Sequence, residues 1–337
     1  MGSGSLVPHK LQLAVRPDTW ADLGTAFSLR FHGAYRRRSE LSWPISPDQL
    51  SGTRIRWPSE YRWPLQRLWL EPLRQALAEF LPVDRLPFKQ PSTPVVVFHV
   101  VSGSQSYEIG VDYSDYVEID ESLARSVPVY LKMQYLSQGY GIPSVIPAGY
   151  PSNKGLSSLL GGARRLAALP SRQVVYGRLS PNNTLRRRAI DLLQAQDRFA
   201  FDGGFMLRRY GRHLADAATA AVCIDMPGNG PLCFRLIDYL GVGCCVVTPR
   251  QEVSLHVALH DGIHVSFVQS DLSDLVDVCD ALLSDAAHRE QQRAGAADFY
   301  DRYLESRQLA AYHLHAILGR IKGPSLIAGV PQREIKP

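Results

Sequence analysis

The apolar positions fall into two patterns that divide the chain. From about residue 172 onward, short apolar runs alternate with stretches of helical period. Gln173–Tyr176, Ala220–Asp225, Cys244–Thr248 and Ile263–Val268 read as buried strands. Thr184–Gln196, with apolar residues at 185, 189, 190, 192 and 193, reads as a helix, and so do Leu207–Ala217, Pro231–Leu240 and three segments near the C-terminus. Asp202-Gly203-Gly204 reads as a turn. Strands that alternate with helices predict right-handed βαβ units around a parallel sheet.

The first half is less regular. Residues 1–64 carry turn signals, prolines and scattered short strands, and Leu65–Phe80 has the period of an amphipathic helix. Val95–Val101 is the clearest buried strand, followed by Tyr107–Val111, an acidic segment to Glu121, and Pro128–Leu131. Gly155–Ala168 reads as a helix leading into the second half. The division therefore falls near Leu169-Pro170-Ser171. It gives a first domain at 1–170, a second at 171–320 and a tail at 321–337.

Composition narrows the class. The chain has 337 residues, of which 45% are hydrophobic and 20% charged, enough for a folded protein with a large core. No run approaches about 18 apolar residues, so no membrane-spanning helix is expected. Met1–Lys10 lacks the long apolar stretch of a secretory leader, so a cytoplasmic location is expected. The five cysteines, Cys223, Cys233, Cys244, Cys245 and Cys279, make an odd count with no zinc spacing, which predicts buried reduced thiols.

Charge is unevenly spread. The net charge is +5, and residues 1–89 hold 13 Lys and Arg against 8 Asp and Glu, leaving the remainder balanced. Arg36-Arg37-Arg38 and the stretch Arg54–Arg67, with Trp57 and Trp63, interleave cations with aromatics. That pattern suits a nucleic acid or an anionic membrane surface, or a solvated basic face whose tryptophans anchor a core.

The segment Cys223–Thr248 carries the most chemistry. A strand ends at Asp225 and a turn with Gly228 and Gly230 follows. Pro231 stands where the first helical residue is expected. Arg235 and Asp238 lie three apart, on the face opposite the apolar one. Gly241 and Gly243 stop the helix. A Gly-rich turn entering a helix presents free N–H groups and a positive dipole end, which suits an anion. Arg235 adds a planar fork for phosphate, and Asp238 an acceptor for ribose or sugar hydroxyls.

This stretch resembles the donor-binding signature of GT-B glycosyltransferases, in its exostosin-like form, where the helix reads Arg-Leu-Phe-Asp. Here it reads Arg235-Leu236-Ile237-Asp238. The resemblance covers about residues 172–318, including the closing segment Ala297–Leu304. It implies an α/β GT-B architecture of two Rossmann-like domains facing a cleft, the first irregular. It implies transfer of a sugar from a nucleotide sugar of the UDP kind, the co-substrate, with no other cofactor and no metal. Retaining members often carry a second acidic residue eight positions before the helical one. Gly230 stands there, which favours inversion.

Within that frame the expected donor-binding residues are Arg178, Gly203, Gly228, Gly230, Arg235 and Asp238. An inverting enzyme needs a base, and Asp112 and Asp115 are the candidates, near an expected strand end. Lys132 is placed at the cleft as a second charge, and His99 is either a core histidine or a cleft residue. Arg186-Arg187-Arg188 reads as a solvated helix face. His256, His260 and His264 recur every four positions, but Gly262 interrupts the spacing, so they read as structural. The acceptor stays open between a glycan, a lipid-linked intermediate and a modified DNA base, with peripheral membrane contact through the basic N-terminal part. The alternative is a non-catalytic protein that binds a nucleotide or sugar phosphate on the same fold.

Overall fold

The computed structural model describes residues 18–31, 33–63, 66–152, 155–206 and 208–323, and the side chains of residues 18–21 lie outside it. The N-terminal Met1–Lys10 segment, most of the expected tail, Leu65 and Leu207 therefore lie outside the described residues.

The first unit is built on a mixed six-stranded sheet. Its strands are β1 (Thr53–Pro58), β2 (Val83–Leu86), β3 (Val96–Ser102), β4 (Gln105–Asp112), β5 (Val129–Lys132) and β7 (Val145–Pro147), in the order β2-β1-β3-β4-β5-β7. β6 (Tyr135–Leu136) lies outside this sheet. β3 and β4 form an antiparallel hairpin, whereas β4, β5 and β7 run parallel. Along β1 the basic–aromatic interleaving resolves into a two-residue period. Ile55 and Trp57 are fully buried while Arg54 faces solvent. Arg37 and Arg38 are tied to Glu79, Glu305, Glu40 and Asp298. The cations thus form a partly neutralised outer face around a tryptophan-anchored core.

The second unit is a parallel five-stranded sheet. Its strands are β8 (Arg172–Arg178), β9 (Ala200–Gly204), β10 (Ala220–Ile224), β11 (Val246–Pro249) and β13 (Ser266–Val268), in the order β13-β11-β10-β8-β9. β12 (Val253–Ser254) leaves this sheet and pairs antiparallel with β6 of the first unit. The architecture is thus mixed α/β with parallel strands in both sheets, and a Rossmann-like winding in the second. Asp202-Gly203-Gly204 is not a turn. It ends β9, paired with Tyr176, Gly177 and Arg178 of β8.

Eleven α-helices among the described residues surround the sheets: α1 (Asp18–Phe31), α2 (Pro47–Leu50), α3 (Arg67–Leu77), α4 (Glu121–Ser126), α5 (Leu156–Ala167), α6 (Thr184–Ala195), α7 (Tyr210–Thr219), α8 (Phe234–Val242), α9 (Leu275–Ser284), α10 (Ala286–Phe299) and α11 (Ser306–Lys322). A π-helical turn, Tyr300–Leu304, joins the last two.

α8 starts three residues later than Pro231 predicts, with Cys233 as its N-cap and no side-chain cap. Pro231 belongs to the turn instead. The helix stops at Gly243, which adopts φ +80°, a left-handed conformation that suits glycine.

The two units exchange their terminal helices. α1 packs against α5 and α7, the latter belonging to the second unit. α11 crosses back onto α3 of the first. It is tied there by Gln308 to Ser42 and Glu40, by Tyr312 to the Pro147 carbonyl, and by Lys322 to Gln49 and Thr53. One apolar core consequently runs through both units, with Trp57, Leu70, Tyr239 and Leu314 in the same cluster. All five cysteines are buried and free.

Candidate functional site

A doubly wound sheet offers its binding crevice at the C-terminal strand ends, where the strand order reverses. Here that place lies between β8 and β10. Two loops leave it, 179–183 after β8 and 225–233 after β10.

The chain's own Arg186 knits these loops together. It is buried in the first turn of α6, so it is not part of a solvated face as the triple-arginine run suggests. Its Nε donates to the Pro227 carbonyl at 2.7 Å and its Nη2 to the Met226 carbonyl at 3.2 Å. Its Nη1 donates to Ser180 Oγ at 2.6 Å and Asn182 Oδ1 at 3.0 Å. Asn183 caps α6 and donates to the carbonyls of Pro227 and Gly228. A planar guanidinium with five fixed donors fits such a converging set of oxygens.

Arg235 lies beneath the same turn. Its Nη1 donates to Asp225 Oδ1 at 2.9 Å, with both side chains buried. Burial pushes the Asp225 carboxyl above its usual range, against the pull of the guanidinium. Asp238 is fully buried and accepts from Tyr210 Oη at 2.9 Å. Every residue from Arg235 to Val242 is buried. The open polar face expected at Arg235 and Asp238 is therefore packed inside the protein, because α7, α10 and α5 enclose α8 on its flanks.

At the end of β8, Arg178 donates to Asp202 Oδ1 at 2.6 Å, and its Nε lacks a partner among the described residues. Gly203 lies opposite Gly177 within the paired strands.

The first unit meets the turn from across the interface. Gln134 is buried; its Nε2 donates to the Leu232 carbonyl at 2.9 Å and its Oε1 accepts from the Leu232 N–H at 3.0 Å. A methyl group on Gly230 would stand 2.5 Å from the Asp115 carbonyl oxygen and 2.6 Å from Gln134 Nε2. Only glycine allows this approach. Asp115 is exposed, bonds Asn229 through its carboxyl, and has its carboxyl pushed upward by partial desolvation.

Asp112 is different. It is buried and accepts from Lys132 Nζ at 2.8 Å, Tyr130 Oη at 3.0 Å, and the N–H and Oγ of Ser114 at 3.0 and 2.6 Å. Four donors saturate its carboxylate. Lys132 is wholly buried, and desolvation lowers its ammonium pKa. His99 is half-buried on β3 beside Phe88 and Ser106, and neither neighbour belongs to the turn. The structure thus brings together Asp115, Gln134, Gly228, Gly230, Asp225, Arg235 and Arg186, while Asp112 and Lys132 form an ion pair behind them.

Two hollows flank this junction. One, of about 180 Å³, is lined by Leu232, Leu236, Thr248, Arg250, Val253 and Leu259. The other, of about 280 Å³, lies between Thr93, Asp112, Ser114, Glu118 and Asp120. No cluster of metal-ligating side chains occurs among the described residues. No helix among them is long and apolar enough to cross a membrane.

No protein-family model matches the chain, and no curated protein matches it. Among solved structures, the crystal structure of a GtfA/B complex aligns with a TM-score of 0.35 and 15% identity. The alignment covers 61% of this chain and 48% of that one, so this chain matches about half of that structure's length.

Proposed function

We propose that the protein is a glycosyltransferase that takes its sugar from a nucleotide-sugar donor. One observation carries the reading. The C-terminal ends of β4 and β5 lead to the same place as the C-terminal end of β10. An accessible carboxylate of one unit, Asp115, therefore stands against the Gly-rich turn of the other.

In this reading the donor diphosphate lies along the turn 228–233 and the N-terminal end of α8, whose dipole favours the charge of the leaving group. Arg235 supplies positive charge from beneath, while Arg186 and Asn183 hold the turn in shape. Arg178 and the strand end at Gly203 border the nucleotide. Asp115 takes the proton from the acceptor hydroxyl as its oxygen attacks the anomeric carbon, and the nucleoside diphosphate departs from the opposite face. A base with a raised pKa is matched to that task. Asp112, saturated by four donors, positions the loop that carries Asp115. Asp238 is assigned to holding Tyr210 rather than a ribose.

The test is calorimetric and thermal-shift titration with nucleoside diphosphates and nucleotide sugars, followed by donor hydrolysis without acceptor. A donor at about 100 times its dissociation constant adds roughly 2.7 kcal/mol of stability. Binding with slow hydrolysis supports the transferase. Binding without hydrolysis or transfer favours a non-catalytic nucleotide-binding protein. Absence of binding to any nucleotide removes the reading.

A further inference from the structure

α1 carries an apolar ridge on its outer side. Leu23, Phe27 and Phe31 succeed one another at four-residue intervals and are 45%, 63% and 71% exposed. The Phe27 and Phe31 rings touch, with centroids 4.2 Å apart. Three such side chains on one face of a surface helix are more than scattered exposure.

The ridge cannot turn inward. The inner face of α1 is locked by backbone approaches that tolerate no side chain. The Leu29 carbonyl lies against Gly162, and Ala26 against Gly211 of α7. Phe205 and Met206, six and five residues before Gly211 in the chain, are also exposed.

The surroundings are basic. Arg30 lies in the last turn of α1, between the two phenylalanines in sequence, and Arg165 lies against Gly33 just beyond the helix. Arg209 is the N-cap of α7. The acidic residues of α1, Asp18 and Asp22, precede the ridge and Asp22 is buried, while Asp216 of α7 is bound by Arg212. A short apolar ridge rimmed by arginines matches an interface of acyl chains and anionic headgroups. It is poorly matched to a second copy of the chain. The ridge is about 12 Å long, and a stable protein interface needs roughly 800 Å² per partner.

We infer that α1 is a membrane-docking helix that lies on an anionic lipid surface, inserting Leu23, Phe27 and Phe31 while Arg30 and its neighbours meet the headgroups. This site is distinct from the Arg54–Arg67 stretch, whose Trp57 belongs to the core. It stands whether or not the protein transfers sugar.

The test is co-sedimentation of the full chain with vesicles of phosphatidylcholine alone and with about 30% phosphatidylglycerol. Binding to the anionic vesicles, weakened by salt, is expected. The variant Leu23→Ser/Phe27→Ser/Phe31→Ser should lose it by at least about tenfold. Arg30→Gln should weaken it only on anionic vesicles. The altered side chains are exposed, and an unchanged melting temperature checks that the variants fold. Failure of the wild type to bind, or equal binding by the triple variant, overturns the inference. So does a concentration-dependent dimer that the triple variant abolishes without vesicle binding by the wild type.

Discussion

Gln134 and Leu232, 98 residues apart, are joined by both halves of one amide. The side chain donates to the Leu232 carbonyl and accepts from its N–H, as a neighbouring strand would. Gln134 thereby ties the Gly-rich turn of the second unit to the first, beside the Asp115–Asn229 hydrogen bond. Gln134→Glu keeps the acceptor and loses the donor. It should cost about 1–3 kcal/mol, as a buried carbonyl is left unmet beside a desolvated charge. Gln134→Met should cost less, because it removes the polar group without burying a charge. Urea unfolding of the three proteins checks the order, and a Glu variant as stable as wild type would count against a closed interface.

Asp112 and Asp115 should separate cleanly. Asp112→Asn leaves the Lys132 ammonium buried without its counter-ion, and should destabilise the protein by about 3–5 kcal/mol. Asp115→Asn should leave the melting temperature nearly unchanged and reduce transfer by about 10²–10⁴. Nucleotide affinity and transfer rate measured on one preparation decide the matter. A rate near wild type in folded Asp115→Asn clears that residue as the base.

Arg186 and Arg187 are adjacent but not equivalent. Arg186→Lys cannot reproduce donation to Ser180, Asn182, Met226 and Pro227 together, and should lower stability by about 2–4 kcal/mol. Arg187→Lys, whose guanidinium meets the Pro181 carbonyl at an exposed position, should change it by less than about 0.5 kcal/mol. Loosening of the turn should also weaken nucleoside diphosphate binding in the Arg186 variant alone, which titration calorimetry reads directly.

Acid should destabilise the fold through buried histidines. Burial lowers the pKa of His213 and His256 to about 3 and of His313 to about 4. These rings stay neutral when folded and take up a proton when unfolded, so the unfolded chain binds more protons below about pH 6.5. Their stabilising contribution is complete above that pH and is lost as pH falls toward 4 and 3. Each contributes a slope of up to about 1.4 kcal/mol per pH unit. His256→Phe keeps a ring against Trp43 and Tyr312 and removes one such term. Its melting temperature should fall less than that of wild type between pH 7 and 5; parallel curves would exclude the assignment.

The parallel sheet was legible because buried strands and amphipathic helices differ in period. Val222 and Val247 stand in runs no exposed element would carry. The helix start was misplaced because Pro231 satisfies the local rule for a first helical residue, while the contact of Gly230 with Asp115 holds the chain in the turn for longer. Arg186 was illegible for a related reason. Three consecutive arginines look alike, and only the loop carbonyls brought near by the fold single one out. Gln134 gave no local signal, since its partner lies on another unit. The ridge on α1 was present at 23, 27 and 31, yet the small residues of its inner face, Ala26 among them, hid the helix from a reading based on apolar residues.

The exchange of terminal helices has a consequence for synthesis. Domains generally fold as units, the N-terminal one first, as the chain emerges from the ribosome. Here the face of α3 that α11 covers stays bare until residues 306–322 have been made. The first unit must therefore wait, with that face of α3 in contact with water, until the whole second sheet has been translated. That interval makes chaperone dependence and nascent-chain aggregation properties of the first unit, and it makes late truncations more damaging to the early half of the protein than to the half they shorten.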